Sequence, residues 1–164
     1  MDRLEHRKGK AVLHFQDREG KPLAGKAVEV RQKKQEFLFG CNAFDTLELC
    51  RENLDGQRRE ILQERMELWL DLFNFATLPF YWGQYEPEEG KTNQQNLMAA
   101  AQFLKKKGIT IKGHPLCWHT QTASWLLNLS NEEILERPLI RLRRDLAAFK
   151  GQLYAWAVIN AVVI

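Results

Sequence analysis

No apolar run in this chain approaches the roughly 18 residues that a membrane-spanning helix needs, so no membrane partner is expected. The opening, MDRLEHRKGK, is charged and has no apolar stretch behind it, so no secretory leader is expected and localisation stays open. Cysteine is scarce and unpatterned. Cys41, Cys50 and Cys117 are odd in number and match neither a disulfide framework nor a zinc spacing, so they are read as free thiols. A glycine-rich phosphate loop is missing too. FGCNAFDTLE, where one would follow the first buried strand, has one glycine and no lysine, which argues against nucleotide binding. There is no basic stripe with interleaved aromatics, so nucleic acid is not an expected partner. The net charge is only +3, and its excess is local: residues 1–36 carry ten Lys/Arg against six Asp/Glu.

What is present is a globular composition, 45% hydrophobic and 27% charged over 164 residues, which excludes a disordered or collagen-like chain. Residues 11–16 (AVLHFQ) and 26–32 (KAVEVRQ) alternate around a Gly20/Pro22 turn and predict a β-hairpin. From residue 37 the rhythm changes. FLFGCNAF reads as a strand buried on both faces. Gln57 to Leu72 reads as a helix, with Leu62, Met66, Trp69 and Phe73 on one face. FNFAT (73–77) is a second strand. Thr92 caps a helix to about Lys107, stopped by Gly108. ITIKGH (109–114) is a third strand. Ser130 and Glu133 form a capping-box pattern opening a helix to about Lys150, which Pro138 should kink or restart. LYAWAVINAVVI (153–164) is a fourth strand. Strands alternating with helices imply an α/β fold with a parallel sheet and right-handed crossovers, either an open sheet or part of a barrel.

In such folds the working groups sit at the C-terminal ends of the strands. Those ends deliver Asn42; then Thr77 to Trp82; then His114, Trp118, His119, Gln121 and Trp125; then Trp156 and Asn160. Each aromatic alone is as well explained as core. Together, rings with amide and imidazole donors suit a pyranose, which offers flat C–H faces and a fringe of hydroxyls. His114 and His119, five apart around Pro115 and without a third ligand, do not make a zinc pair. Glu86, Glu88 and Glu89 are read as a solvated loop.

The motif Lys112-Gly113-His114-Pro115-Leu116-Cys117-Trp118-His119 resembles the GHxLxWH signature of glycoside hydrolase family 10, the endo-β-1,4-xylanases. FNFAT with Trp82 and Glu86 to Gly90 is similar to that family's second strand and loop. Trp156 to Ala161 resembles its W-D-V-x-N-E fourth strand. The resemblance implies the first four units of a (β/α)8 TIM barrel over residues 37–164, preceded by a β-hairpin extension over 1–36. It further implies hydrolysis of xylan or a related β-linked plant polysaccharide with retention, no cofactor, no metal, and relatives that are often secreted. By resemblance, Asn160 bonds the sugar 2-hydroxyl, His114 and Gln121 hold neighbouring hydroxyls, and Trp118 and His119 line the floor. Asn42 and Trp82 join them as candidates from the strand ends.

The sequence departs from that family where the chemistry matters most. Ala161 occupies the position of the acid/base Glu, and Ala157 that of the nearby Asp. The nucleophile belongs to a seventh strand, beyond the four found here. Retaining glycosidases need two carboxylates roughly 5–5.5 Å apart, so the chain alone is expected to be inactive. Where the family shows E-N-E-M-K-W, the residues matching its Glu, Asn and Lys are Thr77, Leu78 and Tyr81. Four strands cannot close a barrel, so a complementary C-terminal half-barrel or a second copy is an expected partner, beside a β-linked oligo- or polysaccharide. A sugar-binding pseudoenzyme and an engineered half-barrel scaffold are the alternatives.

Overall fold

A computed structural model of the chain describes residues 8–33 and 35–160. The basic opening before Lys8 and the Ala161 position lie outside them. The chain divides into two compact units, Met1–Gln35 and Glu36–Ile164.

In the first unit the expected hairpin reduces to a turn. Asp17 Oδ1 accepts from the backbone N–H groups of Glu19 and Lys21, both at 2.9 Å, and Gly20 takes a positive φ of 82°. A single antiparallel bridge, Gln16 to Pro22, closes it, and neither 11–16 nor 26–32 forms a strand. The reason is burial. Val12 and Val30 are 81% and 65% exposed, and a two-stranded ribbon with nothing against its apolar face is marginal in water.

The second unit is a four-stranded parallel sheet whose order, β1-β2-β3-β4, follows the chain. The strands are β1 (Gly40–Asn42), β2 (Phe75–Pro79), β3 (Thr110–His114) and β4 (Ala155–Trp156). Between them run α1 (Asp45–Leu49), α2 (Gly56–Leu72), α3 (Trp82–Tyr85), α4 (Gln94–Lys106) and α5 (Asn131–Ala148). β2 and β3 are buried on alternate residues. Ala76, Leu78, Ile111 and, just beyond β2, Phe80 face Leu62 and Met66 of α2, Leu97, Ala101 and Leu104 of α4, and Phe149. Their other face carries Thr77, Lys112 and His114, only half-buried, so these strands are not buried on both sides as expected. β1 is exposed throughout because, among the described residues, β2 is its only strand neighbour.

Helix ends follow their chemistry with two corrections. Asp55 accepts from the Arg58 N–H and starts α2. α4 begins after Asn93, not Thr92, and without a side-chain cap; Gly108, at φ 77°, ends it. The Ser130–Glu133 capping box forms as expected. Pro138, however, does not split its helix. α5 runs through it as one segment, the lost hydrogen bond offset by the capping box ahead and by a buried Arg141–Asp145 pair behind. The fourth strand is shorter than expected. After Trp156 it continues as a loose pairing in which the Leu116 and Cys117 N–H groups donate to Ala157 and Val158, and a bridge joins Cys117 to Ile159.

Two helices expose apolar stripes. Ile61, Leu68 and Leu72 line the outside of α2, and Leu135, Leu139 and Leu146 that of α5. The fully buried residues of α5 are charged, Arg141 and Asp145, flanked by Leu142 and Ala148 that pack against the core.

Gly113 is where β3 meets Trp156 most closely. A Cβ built there falls 2.5 Å from the Trp156 ring and 2.9 Å from Leu153. The Gly113→Ala substitution should therefore displace Trp156 from its edge contacts with Phe80 and Phe149 and cost about 1–3 kcal/mol. An unchanged denaturant midpoint would contradict this packing.

Candidate functional site

The strand register builds the site in rows. Asn42, Thr77, Lys112 and Ala155 are successive cross-strand partners, and Pro79 pairs with His114 one step higher. Beyond the strands the loops are tied to one another. Phe80 N–H donates to the His114 carbonyl at 2.8 Å, Leu116 N–H to Ala157 at 3.0 Å, and Asn160 N–H to Cys117 at 2.9 Å. These bonds bring His114, Trp118 and Asn160 to one end of the sheet. Gln121, half-buried, and His119, exposed, lie beside them in a 3-10 turn (His119–Gln121). Asn42 is exposed, and its carbonyl accepts from the Trp69 indole N–H.

Rings converge over this end. Tyr81 meets Phe44 and His114 edge-on at 6.2 and 6.3 Å between centroids, and Trp118 at 5.9 Å. Two buried polar atoms there have no hydrogen-bond partner among the described residues, His114 Nδ1 and Trp118 Nε1. Burial lowers the pKa of the His114 imidazole, and Lys112 adds a like-charge push, so the ring is neutral at neutral pH.

Trp82, a sequence candidate for sugar contact, faces the other way. It is 5% exposed, its N–H donates to Glu86, and its ring lies 4.8 Å from the Arg141 guanidinium. Leu78 is fully buried against the helices. Thr77 and Tyr81, by contrast, are half-buried.

Behind these loops stands a charged network that the sequence reading missed. Arg141 is buried; its guanidinium donates to the carbonyls of Phe80 and Leu116 and, at 3.2 Å, to Asp145. Asp145 also accepts from Tyr85 and Arg144. Arg144 grips both oxygens of Glu86 at 2.9 Å. Glu86 further accepts from the Gly90 N–H, and its carbonyl from the Trp125 indole. So Glu86 is buried rather than solvated, whereas Glu88 and Glu89 are outer-surface partners of Lys91 and Arg137. The i,i+4 spacing of Arg141 and Asp145 was the available signal, but the same spacing is common on solvated helix faces.

Comparison with known proteins gives this geometry a family. The sequence profile of glycosyl hydrolase family 10 matches residues 55–164. The chain belongs to that family. It is 31% identical over 121 residues to endo-1,4-beta-xylanase A of Caldicellulosiruptor saccharolyticus, covering 68% of this chain and 33% of that enzyme. Native xylanase 10B of Thermotoga maritima shares its fold at a TM-score of 0.63 and 23% identity, over 76% of this chain and 37% of the other. Xylanase 10B of Thermotoga petrophila RKU-1, solved in complex with xylobiose, matches at a TM-score of 0.58 and 22% identity, over 71% and 34%. This family-10 chain thus spans well under half the length of these relatives, and its parallel α/β sheet is that of their barrels.

Two outcomes follow from the buried charges. Arg141→Met strips two buried carbonyls of their donor and Asp145 of one partner, and should cost about 3–5 kcal/mol in chemical unfolding; a loss below 1 kcal/mol would sink the assignment. For Glu86, burial alone would raise the carboxyl, but Arg144, Gly90 and Trp82 outweigh it and hold it below its ordinary value of 4.5. A depressed folded pKa means its contribution is present above about pH 4.5 and lost as pH falls through the folded value. Urea midpoints measured from about pH 6 down to about pH 3 should fall, and Glu86→Gln should flatten part of that fall.

Proposed function

We propose that this chain provides the first four β/α units of a retaining β-glycosidase acting on xylan or a related β-linked plant polysaccharide. The observation that carries the reading is the tie between the 116–118 loop and residues 157–160, which gathers His114, Trp118 and Asn160 at one strand end. Asn160 bonds the 2-hydroxyl of the sugar at the cleavage point, His114 and Gln121 hold hydroxyls near the same subsite, and Trp118 and His119 line its floor. Asn42 closes the row on the β1 side. A bond from Asn160 to the 2-hydroxyl stabilises an oxocarbenium-like transition state more than the ground state.

Hydrolysis needs a proton donor and a nucleophile, and Ala161 and Ala157 supply neither. Without these carboxylates the four-strand chain is inactive by itself. A closed barrel needs further β/α units beside these four, whether from another chain, a C-terminal segment or a second copy. The exposure of β1 along its whole length, at an edge of the described sheet, supports this, since an unpaired edge strand ordinarily has a neighbour or a cover.

The two alanines also favour a second reading, a carbohydrate-binding pseudoenzyme. One experiment separates the two. Ala161→Glu with Ala157→Asp, combined with a family-10 C-terminal half, should release xylose units from xylan or aryl β-xylosides. Saturable oligosaccharide binding with no hydrolysis after both restorations would favour the pseudoenzyme, and no binding in any form would leave a scaffold.

A further inference from the structure

One flank of α5 is tied down and the other is not. Arg137 and Arg144 reach to Glu89 and Glu86 at 2.8 and 2.9 Å, and Arg141 and Asp145 are buried. Helical geometry sets a row of leucines roughly opposite Arg137 and Arg144. Leu135, Leu139 and Leu146 in that row are 75%, 54% and 40% exposed, and Leu142, half-buried, fills the step between the last two. Their steps of four, three and four are those of a coiled-coil seam, in which each position meets a partner helix. The row is about 16 Å long.

Charge along the helix says what fits this row. The exposed charges of its first half are Glu132, Glu133 and Glu136; those of its second half and end are Arg143 and Lys150. Glu133 is held by the capping box. Glu136 and Arg143, both beside the leucines, make no side-chain hydrogen bond or ion pair among the described residues. A second α5 laid parallel brings acidic half onto acidic half. Laid antiparallel, it brings acidic half onto basic half. About a two-fold axis beside residues 140 and 141, Leu135 meets the second copy's Leu146 and Leu139 its Leu142. Glu136 then comes alongside the second copy's Arg143. One sequence supplies both sides of the match, as an isologous interface requires.

We propose that this flank of α5 is a self-association surface, on which a second copy of the chain lays its own α5 antiparallel. The contact uses neither the β1 edge nor the His114 end of the sheet, so it stands apart from the glycoside reading and from barrel closure. Two helices of 18 residues bury at most about 1,200 Å², the low end of specific interfaces. The dimer therefore forms at micromolar concentrations and dissociates on dilution.

The test is analytical ultracentrifugation of the 164-residue chain over a dilution series. Its mass should rise from 19.2 kDa toward twice that value, with a half-point at about 10–100 μM. Leu139→Glu should raise the dissociation constant at least about tenfold. Glu136→Arg and Arg143→Glu each set like charges across the two-fold and should raise it about fivefold. The double variant exchanges the two charges and should return it to within about twofold of the parent. All four side-chain changes lie on the surface, and thermal unfolding of the dilute monomers should be alike. A parent chain that stays monomeric throughout the series, or passes to aggregates with no defined dimer, overturns the proposal. So does a dimer that Leu139→Glu leaves intact, since it is then held elsewhere, as by the β1 edge. A double variant that dimerises no better than the single ones overturns the antiparallel arrangement, and the proposal with it.

Discussion

Two backbone carbonyls beyond the ends of β2 and β3, those of Phe80 and Leu116, point into the interior where no strand partner reaches them. Buried carbonyls must be paired, and a single guanidinium pairs both. Much of the second unit follows from that solution. Burial disfavours the charge on Arg141, so it needs a counterion, which Asp145 provides one helical turn further on. The faces of Trp82 and Tyr85 complete its surroundings at 4.8 and 5.3 Å. The residues Arg141 fixes neighbour the site: Phe80 immediately precedes Tyr81, and Leu116 lies between His114 and Trp118. The site loops are therefore held from behind by charge as well as by the apolar packing of Phe80 and Leu116.

That clamp shows why parts of the fold could be read from sequence and others could not. Element type and order were legible because they rest on local chemistry. The Ser130–Glu133 box, the positive φ of Gly108 and the step of Leu62 and Met66 each express a preference of a few residues. What α5 buries depends on two carbonyls 25 and 61 residues away in sequence, so no local pattern reveals it. Pro138 misled for the same reason, since its cost is local and its compensation is distant. The hairpin failed in the opposite sense. Its alternation is genuine, but its apolar face found nothing to cover it in the first unit.

The site was legible to a different depth. His114, Trp118 and Asn160 are gathered at one strand end, which their place after successive strands already required. Trp82 and Glu86 exchanged expected environments with solvent: the ring expected at the sugar is buried, and the carboxylate expected in water is clasped by Arg144. Both sit at the start and end of α3, a single turn whose position is set by Tyr85 reaching Asp145. A short helix of that kind leaves little trace in sequence, and the two residues it displaces are the two that were misplaced.

The order of the sheet has a consequence for how the molecule comes into being. Because each strand pairs with the one synthesised just before it, the sheet grows by addition at a single edge, and no strand waits for a distant partner. A nascent chain leaving the ribosome can lay down β1 and β2 while α4 is still being translated, and each new helix covers the face just formed. Arg141 arrives after the Phe80 and Leu116 carbonyls that it joins, and its counterion Asp145 follows one helical turn later. Until then the loops bearing Tyr81 and Trp118 have their strands but not their clamp, and the tie to residues 157–160 is added after α5.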